Sequence, residues 1–366
     1  MCAMKNQLES FKVRGFRSLD DTRLEDLGRV NVFVGRNGSG KTSALEALYI
    51  FFSEAHIDSL IGIAERRGEY DKTENADRWV PTLRHFFTGH SLAIGNDLIT
   101  FNGDDVKMSF AVGVEDKPLK DDYRVVKPTP MCYISRKKPG DISSSAFPIG
   151  KNGAIDISGF LGDGGYNKPQ LPEDVPSVFV SPDGVVPRAL LEMRDDVVSK
   201  GAENELAAVL KILDPRVESV GFLSADVKRY EYLVNGMLVG LSGVDGRVPV
   251  KTLGDGMRRL LIIAMAMICA RGGALILDEV DSGLHYSAMT SLWDFIVKAA
   301  VINQVQVFAS THSLDCLRGL AAVCEQPGDA ADAVRLYSFS NIGKKIVAYP
   351  GREVSIAVDN EIEVRA

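Results

Sequence analysis

Gly35-Arg36-Asn37-Gly38-Ser39-Gly40-Lys41-Thr42 (GRNGSGKT) decides how this chain reads. It follows 29–34 (RVNVFV), which reads as a strand, as does 7–17 (QLESFKVRGFR). It precedes Ser43–Phe52, where Leu45, Leu48, Tyr49 and Phe52 fall at helical spacing. A strand, a glycine-rich turn and a helix in that order fit the pattern G-x-x-x-x-G-K-[ST], which cradles phosphates. Backbone N–H groups and the helix N-terminus face the anion, and Gly38 and Gly40 allow close approach. Lys41 reaches the terminal phosphates, and Thr42 offers its hydroxyl to Mg²⁺. The expected nucleotide-binding set is therefore Gly35, Arg36, Asn37, Gly38, Ser39, Gly40, Lys41, Thr42 and Ser43.

Three further stretches gain meaning beside this loop. In Gly272–His285 (GGALILDEVDSGLH) an apolar strand ends in Asp278-Glu279. Asp278 is placed to hold Mg²⁺ and Glu279 to polarise an attacking water. In Lys251–Leu261 (KTLGDGMRRLL) a glycine turn opens a helix, giving a second N-terminus suited to an anion. One chain binds one triphosphate, so Leu253, Gly254, Asp255, Gly256 and Met257 are expected to serve the nucleotide of another copy. In Val307–Leu317 (VFASTHSLDCL) the histidine His312 follows a strand, where it can donate to a phosphate and sense its loss. Taken alone, each of these is also consistent with a capped helix, a solvated acid pair or a structural histidine.

Composition narrows the class. The chain has 366 residues, 45% hydrophobic and 25% charged, with a formal net charge of −7. That balance argues against coating nucleic acid by bulk charge, although a local basic face remains open. The longest apolar stretch, Leu260 to Ala270, is far shorter than the roughly 20 residues a bilayer requires. Five scattered cysteines suggest reduced thiols, and the N-terminus lacks an apolar signal region, so a cytoplasmic location without membrane contact is expected.

The alternation after Pro187 predicts helices at 187–199, 202–213, 256–270, 285–301 and 313–325, with strands at 273–278 and 304–310. Asn235-Gly236 predicts a hairpin between YEYLV and MLVGL. Strand candidates at 98–102, 106–112 and 122–126 are weak, and 137–170 reads as loop. Trp79 and Trp293 are expected as core or lobe-packing residues, and Met265 and Met267 as fillers of core gaps.

These four motifs, in this order, resemble the ABC-type ATPases that act on DNA or in defence, namely RecF, the SMC proteins and the OLD ATPases. FKVRGFRSL (11–19), DEVDSGLH, VQVFASTHSLDCL and the closing EIEVR are most similar to stand-alone bacterial OLD-like ATPases, as in PARIS-type anti-phage systems. The resemblance implies an α/β P-loop NTPase fold of ABC type: a mostly parallel sheet flanked by helices, with an antiparallel β lobe and a helical insertion. It implies a discontinuous core at 1–55 and 245–366 and an inserted lobe at 56–244. It implies ATP and Mg²⁺ as cofactors, 253–257 as the signature acting in trans, Asp281 as a further nucleotide-site residue and His312 as the switch histidine. The implied activity is slow, regulatory ATP hydrolysis by a head-to-tail homodimer, or a larger oligomer, that gates a separately encoded effector in anti-phage defence.

This sequence contains no D-x-D pair, so Toprim nuclease chemistry is not expected within it, and the resemblance implies that a Toprim-type nuclease is the separately encoded effector. Two departures stand out. No glutamine is assignable to a Q-loop, Gln170 being the nearest, and the segment between Thr42 and Leu253 lacks the heptads of SMC arms. The alternative is a RecF-like, ATP-gated DNA clamp, with Arg136-Lys137-Lys138, Lys228-Arg229 and Arg258-Arg259 as its candidate contacts.

Overall fold

The computed structural model describes residues 7–72, 79–118, 126–155, 175–185, 187–223, 236–340 and 346–359. In chain order, strands β1 (Phe11–Arg14), β2 (Thr22–Leu24) and β3 (Val30–Gly35) lead into helices α1 (Lys41–Phe52) and α2 (Ile57–Arg66). Next come β4 (Tyr70–Lys72), β5 (Trp79–Pro81), β6 (Gly95–Gly103), β7 (Val106–Pro118), β8 (Val126–Lys138) and β9 (Asp141–Pro148). A mixed stretch follows: β10 (Ser177–Val180), α3 (Pro187–Ser199), α4 (Glu203–Leu210), β11 (Val217–Phe222), β12 (Met237–Leu241) and β13 (Arg247–Pro249). The last part holds α5 (Asp255–Cys269), β14 (Ala274–Leu277), α6 (Met289–Ile302), β15 (Gln306–Ser310), α7 (Leu314–Cys324), α8 (Ala330–Ala333), β16 (Val334–Phe339), β17 (Ile346–Pro350) and α9 (Val354–Asp359).

The chain forms two compact units, Met1–Gln7 with Asp26–Leu45 and Val175–Ala366, and Leu8–Glu25 with Glu46–Asp174. The first unit is built on a six-stranded sheet in the order β10-β14-β15-β3-β16-β17, parallel except for β17. Every residue of β3, β14 and β15 is buried, the pattern of parallel strands covered on both faces. Asn31, inside β3, is satisfied: its Oδ1 accepts from Gly28 N and its Nδ2 donates to Gly28 O and Val307 O. Helix α5 is apolar on nearly every side and buried from Arg259 to Ile268, as a core helix must be. Trp293 on α6 is fully buried and donates Nε1 to Cys316 O at 2.9 Å.

The first unit extends beyond the sequence division, because residues 175–185, 187–223 and 236–244 belong to it. Ser177–Val180 pairs in parallel with Ala274–Leu277, and α3, α4, β11 and β12 bury their apolar faces in the same core as α5. A four-residue strand after a loop gives no periodic signal, so sequence alone hides that pairing. Met237–Leu241 pairs with Val217–Phe222 and Arg247–Pro249. The YEYLV strand of the expected hairpin lies outside the described residues, as do Gln170, Lys228-Arg229 and EIEVR.

The second unit is a six-stranded antiparallel sheet, β2-β1-β6-β7-β8-β9, with the small pair β4-β5. The stretch 126–148, part of which reads as loop in the sequence, is a hairpin of β8 and β9 turning at Pro139-Gly140. Phe11, Phe16, Phe86, Phe101 and Phe110 form its aromatic core, with ring centroids 5.6 Å (Phe16–Phe86) to 6.3 Å (Phe11–Phe101) apart. Trp79 departs from the core expectation. It is 60% exposed on the outer side of β5, with Lys72 Nζ 5.6 Å from its ring centroid. Among the described residues no helix is long and apolar enough to cross a membrane.

Candidate nucleotide site

Strand order places the motifs. β14, β15 and β3 are neighbours and parallel, so their C-terminal ends lie side by side. Those ends are Asp278-Glu279, Ser310-Thr311-His312 and the 35–42 loop, the edge of a parallel sheet where ligands bind. The loop has the shape its sequence demands. Gly38 and Gly40 adopt φ of +78° and +99°, a region that side chains avoid. Ala44 N donates to Gly40 O at 2.8 Å and starts α1. Lys41 is buried, and its Nζ donates to Gly35 O (2.6 Å) and Arg36 O (2.9 Å) across the loop. Burial holds its pKa below the usual lysine range, opposed by the charges of Asp278 and Glu279. Arg36, Asn37 and Gly38 are exposed at the tip, while Ser43 is buried at the start of α1. Ser39 Oγ is buried without a hydrogen-bond partner among the described residues, a polar atom of the loop that a phosphate oxygen would satisfy.

A hydrogen-bond chain links the three strand ends. Thr42 Oγ1 donates to Asp278 Oδ1 at 3.2 Å, and Ser310 Oγ donates to the same oxygen at 2.5 Å. Glu279 N donates to Ser310 Oγ at 2.9 Å, and Thr311 Oγ1 donates to Asp281 Oδ1 at 2.6 Å. A hydroxyl and a carboxylate converging in this way suit a hard, partly hydrated cation, which is the donor chemistry of Mg²⁺. Glu279 has φ of +47°, uncommon for a residue with a side chain, and its carboxylate is partly exposed. His312 Nδ1 stands 3.8 Å from Glu279 Oε1. The structure thus brings together Lys41, Thr42, Asp278, Glu279, Asp281 and His312.

The 253–257 turn lies elsewhere in the first unit. Gly254 caps α5 with φ of +98° and, as a glycine, makes no side-chain cap hydrogen bond to that helix. Gly254 and Asp255 are exposed. Gly256 faces Gly283 and Leu284 of its own chain, where an added Cβ would come within 3.1 Å of Gly283 O. The side chain of Met257 is buried in the core, so the turn presents backbone rather than that thioether.

Two residues of the site escaped the sequence reading. Ser310 bridges Asp278 and Glu279 one position before Thr311, and a hydroxyl at the end of the β15 strand was the available signal. Arg259, read from sequence as a DNA contact, is buried and donates to the carbonyls of Ser181, Asp278 and Glu279. Arg136 is likewise buried, against Glu54 at 2.5 Å, so neither arginine presents a cation to solvent. Alternation explains Arg136: Ile134 and Arg136 share the inward side of β8.

A family profile described as "AAA domain, putative AbiEii toxin, Type IV TA system" matches residues 30–317. An ATP/GTP phosphatase of Helicobacter pylori is 22% identical over 381 residues, covering 97% of this chain and 98% of that protein. Among solved structures, an SMC head bound to the C-winged helix domain of ScpA is 14% identical, with a TM-score of 0.47, over 94% of this chain and 98% of that one. An Smc head with an extended coiled coil, bound to the C-terminal domain of ScpA from Pyrococcus furiosus, is 13% identical, with a TM-score of 0.44, over 97% and 99%.

Proposed function

The chain belongs to the AAA-domain, AbiEii-type family matched over residues 30–317, with an α/β P-loop NTPase fold and ATPase activity of that class, and on this premise we propose a nucleotide-gated regulatory subunit. Two copies close head-to-tail on two ATP molecules, each presenting its Gly254–Met257 turn to the phosphates at the other's loop. The observation that carries this reading is the contrast at α5. At its N-terminus Gly254 and Asp255 are exposed, the glycine N-cap makes no side-chain cap hydrogen bond, and the atoms beside Gly256 belong to Gly283 and Leu284 rather than to the 35–42 loop.

In the closed pair, the 35–42 backbone and Lys41 hold the β- and γ-phosphates. Thr42 and Asp278 would hold Mg²⁺, which supplies charge to offset that on the phosphate oxygens. Glu279 accepts a proton from water as its oxygen bonds to the γ-phosphorus. The bond to the β–γ bridging oxygen breaks, leaving ADP and inorganic phosphate. His312, beside Glu279, donates to the γ-phosphate and registers its departure. Reopening then releases or activates a partner. By resemblance to OLD-like systems, we take that partner to be a separately encoded Toprim-type nuclease in anti-phage defence. Light scattering of Glu279→Gln protein tests the closure: ATP should convert it to a species of twice the mass. Hydrolysis by this variant at the wild-type rate would remove Glu279 as the base.

A second reading, an ATP-gated DNA clamp, is favoured by one feature of the antiparallel sheet. Strand register lines up Arg23, Lys12, Asn102, Lys107 and Lys137 in one row across its outer face. Arg14, Thr100, Ser109, Ser135 and Ser144 form the next row. Asp21 lies among these cations. Its hydrogen bond from Lys12, with Arg23 and Arg14 nearby, holds its carboxyl below the usual range. The row spans four strand spacings, roughly 19 Å. Duplex DNA bound along it would show a steep loss of affinity with salt that Lys107→Ala/Lys137→Ala makes shallower by about 2 in log–log slope. Absence of binding at low salt removes this reading.

A further inference from the structure

Arg259 is 5% exposed on a helix that is otherwise apolar around it. Its Nη1 donates to Ser181 O, and its Nη2 donates to Asp278 O and Glu279 O, both at 3.0 Å. Its Nε is buried with no hydrogen-bond partner among the described residues. Burial pushes the guanidinium pKa down to about 10, against the opposing pull of Asp278, Asp281 and Glu279. A methionine or leucine would fill this place with no charge to desolvate, so packing alone does not account for a cation here.

What Arg259 grips is a strained turn. Glu279 sits at φ +47°, a conformation that persists only when its surroundings fix it. Its N–H is bound by Ser310 Oγ and its carbonyl by Arg259, so the backbone is pinned on both sides. That pinning sets where the carboxylate points. Arg259 also lies one helical turn after Asp255, on the same rigid α5 that carries the exposed Gly254-Asp255 turn.

We propose that Arg259 is a positioning residue for Glu279, and that through α5 it couples the seating of the 254–257 turn on a second copy's phosphates to the aim of its own copy's base. The coupling rests on the head-to-tail reading above. The positioning does not, since every contact it uses lies within one chain. Each copy would thereby hydrolyse ATP efficiently only once its own turn is engaged, which makes the two sites of a pair cooperative.

The test compares wild-type protein with Arg259→Lys and Arg259→Met, with thermal melting as the fold control. Affinity for a fluorescent ATP analogue is expected to stay within about twofold, because the carbonyls that Arg259 binds are those of Ser181, Asp278 and Glu279 rather than of the 35–42 loop. The kcat of Arg259→Met is expected to fall by roughly 100-fold with KM nearly unchanged, as for a base displaced by about 1 Å. Arg259→Lys should recover part of that loss, since an ammonium keeps the charge and donors but not the fork through which the guanidinium reaches three carbonyls at once. Its Hill coefficient for ATP should drop to about 1 while that of wild type stays above it. Unchanged kcat in Arg259→Met, or joint changes in analogue affinity, KM and melting in Arg259→Lys, would overturn the positioning role. Failure of the head-to-tail reading shows separately, as wild-type turnover per copy that does not rise with protein concentration. That result overturns the coupling, and the split between kcat and KM then decides the positioning by itself.

Discussion

Two helix N-termini in the first unit face outward from glycine turns, and they could hardly be less alike. At α1 the loop is tied into its surroundings: Lys41 bonds two loop carbonyls, Thr42 bonds Asp278, and Asp278 bonds Ser310. At α5 the turn has an exposed Gly254 and Asp255, an N-cap without a side-chain acceptor, and Leu284 as its nearest apolar neighbour. The first is complete within one chain. At the second, the first-turn N–H groups have no intrahelical acceptor and the glycine cap supplies none, and the proposed account gives them to a twin's phosphates.

Substitutions can break or sharpen this contrast. The largest effect is expected at the finished terminus, where Lys41→Ala removes the cation facing the phosphates and should abolish binding of a fluorescent ATP analogue. Glu279→Gln should retain that binding and lower turnover by roughly 10²- to 10⁴-fold, the usual range for loss of a general base, in a steady-state phosphate-release assay. At the unfinished terminus, Gly254→Val should leave analogue binding intact and reduce turnover by about tenfold or more. The φ of +98° there is hostile to a β-branched residue, so the turn must reshape. Equal loss of binding and turnover in Gly254→Val would erase the distinction between the two termini.

The smallest effect concerns one buried thiol in each unit. Burial raises the thiols of Cys132 and Cys316 to about 12. An unfolded thiol ionises near pH 9 and the folded ones do not, so between pH 9 and 12 the native state binds more protons and stability falls as pH rises. Chemical denaturation at pH 8 and pH 10 should show that decline, and Cys132→Ala/Cys316→Ala should flatten it.

Sequence revealed the phosphate loop because strand, glycine turn, Lys41 and helix are contiguous there. It revealed Asp278-Glu279 because a fully apolar strand ends at them. Contacts between residues far apart in the chain were hidden. Arg259 looks like a surface cation beside Arg258 until its three carbonyl partners are seen. Arg136 looks like part of a basic run until the inward side of β8 claims it. Lys137, next to it, does face outward, and its alignment with Lys107 and Lys12 follows only from strand register. Trp79 misled for the opposite reason. A large aromatic is most often buried, but on the two-stranded pair Trp79 is 60% exposed, with Lys72 Nζ beside its ring.

Trans-complementation measures most directly whether one copy finishes another's site. Lys41→Ala protein keeps an intact 254–257 turn, and Gly254→Val protein keeps an intact loop. The account predicts that each is impaired alone and that mixing them raises ATP hydrolysis above the sum of the two, because a mixed pair contains one composite site with both parts sound; the rate per site stays below that of wild type, because the copy holding ATP there has its own turn unseated. A mixture no more active than the sum of its separate components would contradict it.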